Sequence, residues 1–422
     1  MTTRVLGALQ VAALLVSASY GIGFLFGSGE MALTQGMAGG LYGVATALGM
    51  LALATFARRL WQLGVPVWEL FGRAFGPPIQ RAVALLSLVW MSGVLAAQIA
   101  GGVAIAELIG LPKLLAQALV LALILGASRL DLRVASRVFA ACLLASAVVL
   151  LYALADAGGL SLFAQSASLF VRDLGGFGPG RLMSIVLAVG LLVCLGADYH
   201  QFVLAARRPG TAAAGCALAA AALIVVAFLP PTLVLALQGT GRLDGLADAK
   251  QVVPFALGRA AGGLWPGAQA LLLAALSTAA LGSGAAIVRA MASAMAAAMP
   301  GARPVSHPVW SIGALAAGAL LAARGQGIVD TMVSVNVVYL ASVGWLFLLL
   351  LRGASLPSVK AGIVMVSGLA ASGAAYLAGW AGWIGRDADT VSLVGGIAVS
   401  AIVGLICAAV GSRSIGVGGL QR

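Results

Sequence analysis

The chain is short of charge, of cysteine and of recognisable catalytic motifs, and each shortage closes off a class of protein. Charged residues make up 9% of its 422 positions, against roughly 25% in an ordinary soluble domain. With 62% hydrophobic residues and a mean hydropathy of +1.09, no soluble fold could bury so much apolar surface. The four cysteines, Cys142, Cys194, Cys216 and Cys407, each stand inside an apolar run without metal-ligand spacing, so they read as small core residues rather than a zinc or redox site. No GxxxxGK[ST] loop is present, which argues against ATP-driven pumping. No set of nucleophile, base and orienting group recurs among the polar residues, so an enzyme is not expected. The net charge of +12 is spread as ones and twos at the ends of apolar runs. A nucleic-acid partner would call for a basic patch or arm instead. The N-terminal apolar stretch lacks a small-residue cleavage site, so a removed signal peptide is not expected.

What the chain has in abundance is apolar runs long enough to span a bilayer, which takes about 20 residues per helix. Twelve such runs fall near 5–35, 39–58, 81–110, 112–128, 134–156, 181–206, 211–238, 263–297, 307–323, 327–351, 358–384 and 389–411. Transmembrane β-barrels show weak alternating segments instead, so the sequence predicts an all-α polytopic membrane protein whose partner is the lipid bilayer. Placing the N-terminus inside puts 16 of the 24 basic residues on the inner side, from Arg4, Arg58 and Arg59 through Arg207 and Arg208 to Arg303, Arg413 and Arg422. The outer side keeps eight, among them Arg172, Arg242, Arg324 and Arg386, mixed with acids such as Asp156, Asp173, Asp248 and Asp387. Cytoplasmic loops carry the basic excess, so both termini are expected in the cytoplasm, and the membrane is expected to be a bacterial-type inner membrane.

Two kinds of connection are longer than turns. The inner segment 59–80 mixes Trp and Phe with Arg and Glu, as an interfacial helix does. The outer segments 157–180 and 239–262 are glycine-rich and have room for short lid helices.

Clustered glycines in a spanning helix need a reason, because each costs about 1 kcal/mol against alanine. The first run contains SASYGIGFLFGSGE, residues 17–30, and the sixth contains VGLLVCLGADYHQ, residues 189–201. These runs open two five-helix halves, 1–156 and 181–351, separated by the 157–180 loop and followed by two further helices in 352–422. An odd number of spans per half inverts the second half relative to the first. Interrupted helices at matching places of inverted halves point to a midplane binding site. Glycines that only let helices pack closely are the plain alternative, and that suits most of the eighth run. In the first run, Ser28 and Glu30 accompany the glycines, and an intramembrane carboxylate is expensive unless used or paired.

SASYGIGFLFGSGEMALTQGMAGGLYG, ARRLW, LFGRAFG, AAQIAGG, ADYHQFVLAARRPG and ALSTAALGSGAAIVRAM together resemble the sodium:solute symporter family. The resemblance implies the LeuT-like 5+5 inverted-repeat fold and Na+-coupled symport of a small polar or organic solute by alternating access. It further implies a sodium site at the carbonyls of Ala18, Gly21 and Ala274 and the hydroxyls of Ser277 and Thr278. Sodium is a hard cation that takes several oxygen ligands, so this donor set is chemically apt. Ser and Thr in membrane helices also bond back to the i−4 carbonyl, which is the plain reading of Ser277-Thr278 alone.

Several positions depart from the family pattern. Tyr20 stands where some members carry an acid, Gln201-Phe202 replaces Gln-Arg, and Glu30 falls outside the pattern. A proton could therefore serve as coupling ion, with Glu30 or Asp198 as carrier. Candidate solute contacts are Ser19, Tyr20, Glu30, Gln98, Tyr199 and Asn336. Gln98 and Asn336 equally suit helix-to-helix hydrogen bonds. His200, beside Arg207 and Arg208, reads as interfacial, and Asp198 reads alternatively as a surface acid paired with one of those arginines. Beside Na+ symport stand a proton-coupled amino-acid or nucleobase permease of the same fold and a non-transporting membrane sensor or partner subunit.

Overall fold

A computed structural model describes residues 4–246, 249–261, 264–265, 267–299, 307–322, 328–354, 356–385 and 388–412. Arg303, Arg324, Arg386, Arg413, Arg422, Asp248 and Asp387, used above to assign sides, lie outside the described residues. Each of the twelve apolar runs becomes a helix or a helix pair. The chain passes through α1 (Ala8–Ser19), α2 (Ile22–Gln35), a 3-10 turn (Gly36–Gly40), α3 (Leu41–Leu63), α4 (Val67–Phe75), α5 (Pro77–Leu108), α6 (Lys113–Ser128) and α7 (Leu132–Asp156). The short helices α8 (Leu160–Ala164) and α9 (Ser166–Asp173) lead to α10 (Pro179–Leu195), α11 (Ala197–Leu204), α12 (Pro209–Val226), α13 (Leu229–Gly239) and α14 (Val252–Ala261). Then follow α15 (Ala268–Ala298), α16 (His307–Ala322), α17 (Ile328–Leu351), α18 (Ser358–Trp380), α19 (Ala388–Thr390), a π-helical stretch (Val391–Gly395) and α20 (Gly396–Ser412).

By length and composition, seven helices among the described residues can cross a membrane, or eight if α10 and α11, bent by 41°, count as one span. Shorter apolar helices at Ala8–Ser19, Lys113–Ser128, Val309–Ala322 and Asn336–Leu351 complete the set. The chain is thus a multi-pass, all-α membrane protein. Large apolar side chains such as Leu114, Leu320, Val359 and Leu405 stand exposed on its flanks, as lipid-facing surfaces require.

The first helix is wrapped by its neighbours. α1 packs against α7, α12 and α15, while α3 runs along α10 and α12 and α5 along α15. Small residues allow the closest of these approaches: a Cβ built on Gly49 of α3 would lie 2.9 Å from the Gly190 carbonyl oxygen and 2.8 Å from Val193 Cβ. Such contacts replace the hydrophobic driving force that lipid cannot supply.

Among the described residues, contacts join several of those assigned by charge to the same side. At the basic end, Val5 and Leu6 donate to the Ala205 carbonyl at 2.9 and 3.0 Å, and the Arg207 N–H donates to Leu6 O at 2.9 Å. The Arg4 guanidinium lies 3.7 Å over the Trp61 ring, and Trp61 Nε1 donates to the Ala206 carbonyl at 2.7 Å. The foot of α1 is thereby tied to α3 and to the end of α11. α4 packs against α5 and α17, burying Val67, Trp68, Leu70, Phe71 and Phe75 while Arg73 reaches the surface. At the other end, Arg242 pairs with Asp156 at 3.3 Å, and Asp173 accepts the Met37 N–H at 2.9 Å and the Arg172 Nε–H at 2.8 Å. Partial burial works against the Asp173 carboxylate, yet these two donors hold its carboxyl below the usual range. The connections 157–180 and 239–262 contain α8, α9 and α14, short helices that cap this end.

The glycine contacts set a direct comparison. Gly49→Ala should lower the thermal midpoint of the purified chain in detergent, with a cost of about 1–3 kcal/mol from overpacking against α10. A Cβ on Gly126 of α6 meets nothing within 4 Å, so Gly126→Ala should leave the midpoint unchanged or raise it, by up to about 1 kcal/mol in helix propensity.

Candidate functional site

The first break follows from the sequence Ser19-Tyr20-Gly21-Ile22. α1 stops at Ser19, Tyr20 turns out of the helix (φ −78°, ψ 52°), and Gly21 is extended (φ −90°, ψ −174°) as it starts α2. The last carbonyls of α1 therefore have no following turn to donate to them. The second break lies at Gly196, extended at φ −68°, ψ 118°, between α10 and α11. Gly21 is hemmed in, since a Cβ there would sit 2.5 Å from Gln98 Oε1 and 2.8 Å from Ser283 Cβ. At this point α1, α5 and α15 meet closely enough that only glycine fits.

Where the two breaks face each other there is a small cavity of about 10 Å³, lined by residues that include Ala18, Ser19, Gln98, Asp198, Tyr199 and Ser283. That is room for about one water. Phe24, Tyr42 and Trp90 supply aromatic walls. Phe24 packs on Tyr20 at 5.3 Å and edge-on to Tyr42 at 6.3 Å between ring centroids. Asp198 is 3% exposed, and its Oδ1 is buried without a hydrogen-bond partner. It occupies the first turn of α11, where the helix N-terminus favours a negative group. A carboxylate so placed, beside the carbonyl end of α1, is a ligand set for a small cation or a seat for a proton.

The neighbours of Asp198 repair the second break. His200 Nε2 lies 2.8 Å from the Cys194 carbonyl oxygen. Since a carbonyl can only accept, Nε2 carries the proton and the ring bridges the gap left by the missing helical N–H. Gln201 donates to the Asp198 carbonyl at 2.9 Å and to the Ala286 carbonyl of α15 at 3.1 Å. His200 is 2% exposed, so it is not the interfacial residue expected from its nearness to Arg207 and Arg208. Asp198 is likewise no surface acid. Both lie inside the bundle because α11 runs on to Leu204, more than a full turn beyond His200, before the chain reaches the basic end.

Of the expected site residues, Ala18, Ser19, Gln98, Asp198 and Tyr199 line the central cavity, and Gly21 lies against two of its lining residues, Gln98 and Ser283. The Gly21 carbonyl, however, accepts the Leu25 N–H at 3.0 Å, so it already serves α2. Tyr20 is buried against Phe24, outside the lining, with a hydroxyl that lacks a partner. Glu30 is half-buried on α2, nine residues beyond Gly21 and so roughly 13 Å along the helix. Asn336 is 3% exposed on α17 and does not line the cavity.

The hydroxyl pair expected to hold sodium does not line the central cavity. Ser277 Oγ donates to Leu273 O at 2.9 Å, and Thr278 Oγ1 bonds back to Ala275 O at 2.5 Å. Ala274 is exposed. α15 instead presents Gly282 and Ser283 to α1, and the Ser17 hydroxyl fills the space a Gly282 Cβ would take. The residues that line the site but were not foreseen are Gly23, Phe24, Tyr42, Trp90, Val94, Leu192 and Ser283. One sign of Ser283 was available: Gly282-Ser283-Gly284 repeats the Gly27-Ser28-Gly29 pattern of the first broken run.

No protein-family model and no curated protein matches the chain. Solved structures do. The chain is similar to a Na+-coupled sialic acid symporter in a substrate-bound outward-open state, with a TM-score of 0.76 and 14% identity over 96% of this chain and 90% of that one. It is similar also to the nucleobase-cation-symport-1 family transporter Mhp1, closed with bromovinylhydantoin bound, with a TM-score of 0.61 and 14% identity over 98% and 95%. A third is MhsT in complex with L-phenylalanine, with a TM-score of 0.59 and 13% identity over 96% and 99%. The expected LeuT-like fold is the fold these chains share with this one.

The bridge across the second break is testable by substitution. His200→Phe leaves the Cys194 carbonyl buried without a donor and should destabilise the purified chain by about 1–3 kcal/mol, read as a lowered thermal midpoint. His200→Gln, which keeps an N–H donor, should retain most of the wild-type midpoint.

Proposed function

We propose that the chain is a secondary active transporter that carries a small polar or organic solute by alternating access, coupled to Na+. The observation that carries this reading is the junction of the two breaks. A buried carboxylate, Asp198, lines a small aromatic-walled cavity together with the carbonyl end of α1, on the fold of a Na+-coupled symporter. Uncompensated charge at the centre of a bundle is costly, and a coupling cation is what offsets it. The solute binds beside Asp198, among Ser19, Gln98 and Tyr199, when the cavity widens. The basic excess at the end holding Arg4, Arg59 and Arg207 supports cytoplasmic termini in a bacterial-type inner membrane.

A second reading has support in one observation. Asp198, buried with Oδ1 unpartnered, is the ionisable group at the junction of the breaks, whereas Ser277 and Thr278 donate back into α15 and keep lone pairs that neither require nor exclude a sodium ion. Proton coupling through Asp198 follows from that buried carboxyl. The two readings part in a binding measurement with radiolabelled sodium on the purified full chain. Sodium coupling predicts saturable binding that is abolished in Asp198→Asn and unchanged in Ser277→Ala/Thr278→Ala. Absence of sodium binding, with solute uptake into proteoliposomes driven by a pH gradient, would establish the proton reading instead. Loss of sodium binding in the double alanine variant would return the site to the Ser277-Thr278 register.

A further inference from the structure

A second, larger cavity of about 340 Å³ opens toward the basic end, between α4, the α6–α7 turn, α11 and α15. It begins one residue from Asp198, at Ala197, and its walls include His200 and Arg289. Pockets of this size that bind small molecules combine apolar walls with a few placed polar groups. This one has Leu130, Leu204 and the Trp68 side chain for the former.

Arg289 is its one basic side chain bearing a permanent charge, and it is poorly satisfied. One terminal nitrogen reaches the Ala127 carbonyl only at 3.4 Å, and Nε is buried without a partner. The nearby acid, Asp131, caps α7 by accepting the Arg133 N–H at 2.9 Å, and no ion pair among those described joins it to Arg289. On the facing helix, His200 has committed Nε2 to Cys194, and its buried Nδ1 has no partner. Gln201 is occupied by two carbonyls. The cavity therefore holds a guanidinium with unused donors beside an apolar wall. A guanidinium fork matches a planar carboxylate, whose two oxygens accept from it side by side. Asp131 at the wall disfavours a second negative charge on the same molecule.

We propose that this cavity binds a small organic monocarboxylate, its carboxylate on Arg289 and its apolar body against Trp68 and Leu204. The negative Asp198 on one side of Ala197 and the positive Arg289 on the other would draw an anion from the central cavity toward the basic end. The inference rests on the transport reading for this place on the solute's route, while the binding itself stands on the cavity.

The test uses the full chain in lipid nanodiscs, with thermal unfolding followed by intrinsic fluorescence. Acetate, butyrate and benzoate are titrated as sodium salts against sodium chloride at matched ionic strength and against benzamide, the uncharged counterpart of benzoate. Butyrate and benzoate should raise the midpoint in a concentration-dependent way, and benzamide should not. Arg289→Gln should abolish the shift. Because that substitution can also impair folding, Ser293→Trp gives a second arm: Ser293 is exposed at the cavity wall, so filling the space there should remove the shift with the unliganded midpoint unchanged, and Ser293→Ala should keep it. No shift with any carboxylate, an equal shift with benzamide, or a shift that survives Arg289→Gln or Ser293→Trp would overturn the proposal. Carboxylate binding without any cation-driven uptake would refute the transport reading and leave this site standing. Cation-driven uptake with no carboxylate binding would do the reverse.

Discussion

Inside a bilayer every backbone N–H and C=O must find a partner within the protein, and two of this chain's spanning helices are interrupted. That constraint organises the rest. An interruption is tolerable only where it is wrapped by other helices, so the breaks at Tyr20-Gly21 and Gly196 lie in the middle of the bundle. α1 is enclosed by α7, α12 and α15. The carbonyl that the second break releases at Cys194 is met by His200, and Gln201 ties α11 to α15 through the Ala286 carbonyl. What is left over at the junction of the breaks, the carbonyl end of α1 and the Asp198 carboxylate, is the chemistry available to a ligand.

The same economy of space explains the glycines. Gly21 and Gly282 leave out side chains where α1, α5 and α15 come together, and the Ser17 hydroxyl takes the volume at Gly282. The strap from residues 4–7 to residues 205–207 ties the foot of the first broken helix to the end of the second. The two half-helices flanking the basic end are thus linked by backbone hydrogen bonds, and a motion of one would be carried to the other.

Much of this was readable from the residues alone, for physical reasons that also mark where reading stopped. Apolar runs of bilayer length identified the helices, and glycine clusters beside polar residues identified both breaks; the family resemblance singled out Ala18, and polar groups within or beside apolar runs singled out Ser19, Gln98, Asp198 and Tyr199. Ser283 was not foreseen because ALSTAALGSGAAI offers hydroxyls at Ser277, Thr278 and Ser283 with no polar stripe to choose among them. Ser277 with Thr278 was the more conspicuous pair. His200 and Asp198 were drawn toward the surface by the arginines that follow them. Sequence distance from Arg207 says little when α11 is only a two-turn helix starting at the bundle's centre.

If a cation at the junction of the breaks governs which cavity is open, access to Ala197 should depend on it. Ala197 lies between Asp198 and the 340 Å³ cavity. The decisive measurement is the rate at which a membrane-impermeant thiol reagent, applied at the basic end, labels Ala197→Cys in a chain whose four native cysteines have been replaced. The account predicts that sodium, compared with choline, slows this labelling, and that Asp198→Asn removes the difference. Labelling that is indifferent to sodium and to protons alike would contradict it.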